Sequence, residues 1–171
     1  MKTIKTMKTM KRLATALLLS PALVSGQTQG VADNVNLSIE LKSVQTITVN
    51  PLQKTVDLIY DSSDKYESGI VSYQSEHLEV FSSGGFAVQV SGTSFEMDGD
   101  IKIIADPVQP NPTYSFTSVD LNQTPTDLII GGRGGRQKFN VTYDNSGGAN
   151  KYFDKEYKTY TSEITYTITA R

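Results

Sequence analysis

Apolar and polar residues alternate strictly in two segments near opposite ends of this chain. Val35, Leu37, Ile39 and Leu41 are interleaved with Asn36, Ser38, Glu40 and Lys42. Tyr160, Ile164, Tyr166, Ile168 and Ala170 are interleaved with Thr161, Glu163, Thr165, Thr167 and Thr169. Successive side chains on a β-strand point to opposite faces, so each segment has one face suited to a core and one suited to water. The pattern predicts a strand over 35–42 and another at the close of the chain. Terminal strands are the usual sheet edges, whose unpaired N–H and C=O groups recruit a further chain or must be guarded from doing so. A polymerising or adhesive module is the reading this suggests.

Further strand signals follow at short intervals. Ile47 and Val49 continue the first strand until Pro51 stops it, and Val56, Leu58 and Tyr60 alternate in the next. The stretch from Asp61 to Gly69 reads as a polar turn. Ile70, Val71 and Tyr73, then Leu78 and Val80, then Phe86, Val88 and Val90, and then Ile101, Ile103 and Ile104 mark more strands. Asp98-Gly99 between two apolar runs is a hairpin signal. Three prolines between Ala105 and Thr113 mark a surface connection, after which Tyr114, Phe116, Leu121, Leu128, Ile130, Phe139, Val141 and Tyr143 spread over three more strands. No apolar stripe recurs at helical spacing. About nine or ten short strands predict an all-β chain, a two-sheet antiparallel sandwich of immunoglobulin-like, Greek-key type, with a small closed barrel as the alternative.

The first residues change the charge picture. Lys2, Lys5, Lys8, Lys11 and Arg12 precede a short apolar run from Leu13 to Val24, and Val24-Ser25-Gly26 suits a signal peptidase. Residues 1–26 are therefore expected to be a cleaved signal peptide, 27–34 a flexible leader, and 35–171 one sandwich domain. The run is shorter than the ~20 apolar residues a membrane span needs, so no membrane insertion is expected after cleavage. Of 16 basic and 18 acidic residues, five basic ones and no acidic one precede Gln27, which leaves a net charge of −7. An acidic secreted domain repels nucleic acid, and none is expected as a partner. The chain has no cysteine, hence neither a disulfide nor a thiol nucleophile.

Candidates for chemistry are sparse. The single histidine, His77, lies in a strand-like stretch where alternation with Leu78 and Val80 sends it to the solvent face; no nucleophile elbow accompanies it. Zinc lacks ligands, and the weaker option is calcium bound by Asp98 and Asp100, or by Asp61 and Asp64, all of which also suit ordinary turns. The segment Gly131-Gly132-Arg133-Gly134-Gly135-Arg136 resembles arginine-glycine RNA-binding motifs, but occurs once between strands and reads as a hairpin loop. Asn122-Gln123-Thr124 and Asn140-Val141-Thr142 match glycan acceptor patterns, the second inside a strand. Nine tyrosines without tryptophan leave a carbohydrate platform as a second option. No catalytic residue, cofactor or metal is expected, and the chain does not read as an enzyme.

The signal peptide, the leader, the alternating VNLSIEL and the closing YTSEITYTITAR resemble the secreted β-sandwich pilin and coat proteins of bacteria, the fimbrial and spore-coat-U-like group, and especially small surface proteins of Bacteroidetes. The resemblance spans the mature chain in layout, and its motifs are alternations. It implies an incomplete sandwich whose groove takes the leading strand of the next copy. Val35, Leu37, Ile39 and Leu41 would then be the donor strand, and Tyr160, Ile164, Tyr166 and Ile168 would line the acceptor groove. The partners implied are copies of the chain in a homopolymer, with a secretion chaperone or a surface glycan besides, and the location is an extracellular filament or the cell surface. Two departures stand out: the disulfide of many such pilins is absent, and only Gln27 to Asn34 precede the first strand. The residues leave two arrangements open, donation to a neighbour or completion of the chain's own domain.

Overall fold

The computed structural model describes residues 32–93, 100–132, 134–148 and 150–171. The expected signal peptide and the first part of the leader lie outside these, as do Asp98, Gly99 and Arg133. The chain divides into two compact units, residues 1–39 and residues 40–171. In the first unit the described residues 32–39 form no strand, and Val35, Leu37 and Ile39 are exposed by 92%, 86% and 76%. The strand predicted over 35–42 is therefore absent: alternation prescribes which side chains share a face, but a strand also needs an edge to pair with. Leu41, at the start of the second unit, is exposed as well.

The second unit is an antiparallel β-sandwich. Its strands are β1 (Gln45–Val49), β2 (Val71–Ser82), β3 (Phe86–Gly92), β4 (Lys102–Pro107), β5 (Tyr114–Phe116), β6 (Val119–Asp120), β7 (Thr126–Gly131), β8 (Gly135–Asp144) and β9 (Ile164–Ala170). One sheet has the order β1-β2-β8-β4-β6 and the other β5-β7-β3-β9. From β2 onward every connection passes from one sheet to the other. The connections in which hairpins are expected, between β3 and β4 and between β7 and β8, thus join strands of different sheets, the turn residues Asp98, Gly99 and Arg133 themselves lying outside the described residues. Gly and Asp turn chemistry reverses a chain equally well between layers as within one, and so does not distinguish the two.

The β1-β2-β8-β4 run and the β3-β9 pair match the A-B-E-D and C-F pairings of an immunoglobulin sandwich, where a further strand flanks the last of these. Among the described residues no strand lies outside β9. The core is built by inward residues of both sheets, among them Leu78 and Val80 of β2, Phe86 and Val88 of β3, Ile103 of β4, Leu128 of β7, and Phe139 and Val141 of β8, all buried. Toward β1 and β9 the inner residues Ile47, Val49, Ile164, Tyr166 and Ile168 are only half-buried. The edges β5 and β6, at the far side, are three and two residues long, short enough to offer little to another chain, whereas β9 exposes a seven-residue edge.

Two segments depart from expectation between β1 and β2. The polar stretch after Tyr60 holds a short helix, α1 (Ser63–Ser68), closed by Gly69 in a positive-φ conformation at +77°. Residues 54–60 form no strand, although Val56, Leu58 and Tyr60 are half-buried and Thr55, Asp57 and Ile59 exposed, as the period of two requires. Among the described residues their backbone groups find no backbone partner.

Candidate functional site

The half-buried inner faces of β1 and β9 border a cleft of about 1200 Å³. Residues 53–60 and 155–163 form its rims, and His77, Tyr143 and Tyr166 lie on its floor. Seven of the nine tyrosines line it, all but Tyr73 and Tyr114. Sequence alternation scatters these tyrosines over several strands; only the packing of the two sheets gathers them.

His77 occupies a place the sequence reading did not assign it. It is buried beside Leu78, not on the solvent face. The cause is a β-bulge between Gln74 and Leu78 in the pairing of β2 with β8, with Glu76 at φ +50°. Between the paired residues Gln74 and Leu78, three residues of β2 stand against the single Asn140 of β8; the inner face keeps its parity on either side, and the irregular backbone turns His77 inward beside Leu78. Asn140 of β8 holds the bulge: its Oδ1 accepts from the Glu76 backbone N–H at 2.9 Å and its Nδ2 donates to Asp106 at 2.6 Å. Asn140 is buried, and the acceptor pattern at 140–142 is therefore a structural hydrogen-bonding position, closed to a glycan.

A chain of hydrogen bonds crosses the cleft floor. Gln53 Nε2 donates to the Ser75 carbonyl at 3.0 Å, which turns Gln53 Oε1 toward His77 Nδ1, also at 3.0 Å. His77 Nδ1–H must then be the donor, and Nε2 is left to accept from the Tyr143 hydroxyl at 2.8 Å. The Tyr143 oxygen in turn accepts from Tyr166, at 2.8 Å. Burial lowers the His77 pKa and keeps the ring neutral. Burial also raises the phenol of Tyr143 and lifts that of Tyr166 far above its usual value, Tyr143 adding to the second shift. The floor is thus uncharged at neutral pH and links the two sheets.

A second chain lies at the other end of residues 54–60. The Tyr60 hydroxyl donates to Asn145 Oδ1 at 2.6 Å, and Asn145 Nδ2 donates to Tyr152 at 2.7 Å. The Tyr60 ring meets Tyr66 and Tyr152 edge-on at 5.2 and 5.1 Å. Burial, with Tyr152 and Asp100 nearby, pushes the Tyr60 phenol up to about 12. The His77 imidazole is engaged at both ring nitrogens, by Gln53 and by Tyr143.

The remaining candidates disperse. Asp61 pairs with Lys65 at 2.6 Å and Asp100 with Lys151 at 2.9 Å, and among the described residues no three acidic or histidine side chains converge as metal ligands. Asn122 caps its own turn, accepting from Thr124 N at 2.8 Å. Arg136, from the glycine-arginine stretch, pairs with Glu79 across β2 and β8. Of the expected acceptor residues, Ile164, Tyr166 and Ile168 do turn toward the inter-sheet space, and Tyr160 lies on the rim with Lys158 5.0 Å above its ring. Sequence reasoning did not single out Gln53, Tyr60, Tyr143 or Asn145; the only signal for them was a polar or aromatic residue on an otherwise apolar face. No protein-family model matches this chain, and no curated protein matches it.

Proposed function

We propose that this chain is a non-enzymatic structural subunit of an extracellular filament, pilus or surface coat, exported by the segment 1–26 and assembled by strand donation between copies. One observation carries the reading: among the described residues, a sandwich whose longest free edge, β9, borders an open cleft of mixed polar and apolar lining is accompanied by an exposed segment with strand alternation and no strand partner. Val35, Leu37, Ile39 and Leu41 repeat at the spacing with which Ile164 and Tyr166 face the cleft and Ile168 continues the same inner face. An extended segment adding to an edge gains main-chain hydrogen bonds, and its alternate side chains set the register. Burying the four aliphatic side chains contributes roughly 6 to 12 kcal/mol before the costs of association.

Electron microscopy of the mature protein tests this. Filaments are expected from the intact chain and none after deletion of residues 27–41; a deletion variant that still polymerises, or an intact chain that stays monomeric, overturns the reading. A second reading, a monomeric carbohydrate-binding or adhesion module, is favoured by the seven tyrosines in one cleft, since tyrosine rings offer sugars a stacking face and a hydroxyl. Glycan-array binding by a monodisperse monomer would select it.

A further inference from the structure

Residues 54–60 have the form of a strand without the pairing of one. Residues 55–60 alternate strictly between half-buried and exposed, with Val56 and Leu58 among those lining the cleft. Among the described residues, their backbone N–H and C=O groups meet no backbone partner. Both ends are nevertheless held. Gln53 is tied to His77 and to the Ser75 carbonyl at one end, and Tyr60 to Asn145 at the other. An unpaired segment of this kind ordinarily frays; here side-chain hydrogen bonds, two of them part-buried, anchor both of its ends beside the cleft that β9 also borders.

We infer that residues 54–60 are a second pairing edge, pre-aligned by the Gln53–His77 and Tyr60–Asn145 hydrogen bonds, and that residues 35–41 of another copy are clamped between this edge and β9. The inference rests on the strand-donation reading and adds to it which backbone receives the guest on its far side. The occupant is a second copy because the segment 35–41 carries what the cleft lacks: backbone groups for two edges, and four aliphatic side chains for a floor that Ile47, Val49, Ile164 and Tyr166 only half cover. Holding an edge in place beforehand removes the ordering entropy that a loose loop would lose on binding. His77, Gln53, Tyr60 and Asn145 are accordingly positioning residues for strand capture.

Amide hydrogen exchange on the full mature chain carrying Leu37→Asp and Ile39→Asp reads this directly. The two changes fall on exposed positions, silence the chain's own donor segment and leave the cleft as it is. The probe is a peptide of the sequence 34–42. With the peptide bound, exchange should slow about tenfold or more at alternate amides within 54–60 as well as along 164–170. Adding Tyr60→Phe should abolish the slowing at 54–60 and retain it at 164–170, a split that a general loss of stability does not produce. Slowing at 164–170 alone in the chain with Tyr60 intact overturns the second edge and leaves strand donation standing. No slowing in either segment, with no peptide bound, overturns both.

Discussion

His77 shows what a single residue's surroundings do to its chemistry. An imidazole on a solvent face titrates near its usual value of 6.5, but this one is buried, and burial lowers its pKa. In the unfolded chain it takes up a proton near 6.5, while in the folded chain it resists protonation until lower pH. Between the two values the unfolded state holds more protons, so stability is fully present above 6.5 and is lost as the pH falls toward the folded value. Urea midpoints should therefore decline from about pH 7.5 to about pH 5.5, before most carboxylates titrate, and the decline should vanish in His77→Phe. A flat profile in the unaltered chain would mean that the imidazole is not enclosed. The Gln53 contact adds a consequence for the cleft: protonating Nε2 reverses the direction of the bond to Tyr143 and so disturbs the whole floor.

At the scale of the element, the bulge in β2 decides which residues form that floor. Before it, Ser72 and Gln74 lie toward the inside; after it, Leu78, Val80 and Ser82 do, with His77 brought in between. Asn140 is the pin. Asn140→Ala leaves the Glu76 N–H and the Asp106 carboxylate without their partner, and an unsatisfied group at a half-buried site costs about 1–3 kcal/mol. A urea denaturation curve should show that loss as a lowered midpoint. The strand segments beyond the bulge were legible because period two is a local property. The bulge was not legible, since it arises from a partner strand 64 residues away. The segments 35–42 and 54–60 illustrate the converse: each has the alternation of a strand, and among the described residues neither is paired with one.

At the scale of the molecule, the sandwich is finished on one side and open on the other. The side bearing β5 and β6 ends in short strands, where Val119 is buried and Tyr114 and Phe116 are half-buried, and the side bearing β1 and β9 ends in half-buried residues beside a cleft. On the proposed strand-donation reading, assembly through that side links stability to concentration, because a neighbour that binds only the folded form stabilises it by mass action. The thermal midpoint of the mature protein should rise with protein concentration, by a few degrees per tenfold at this chain length, and should be independent of concentration in the Leu37→Asp, Ile39→Asp variant. Differential scanning calorimetry over a tenfold range checks this. Equal slopes for the two proteins would detach residues 35–41 from any association.

The sequence alone determined that the chain is all-β, that its layers are two and antiparallel, and that Ile164, Tyr166 and Ile168 share an inner face, because alternation, turn residues and the lack of a helical stripe are local and additive along the chain. The crossing of nearly every connection between sheets, the gathering of seven tyrosines and the only histidine at one cleft, and the open side between β1 and β9 were decided by tertiary structure. Those features depend on which edges pair with which, and pairing over long sequence separations is set by the fit of whole faces, a quantity no short window of residues contains.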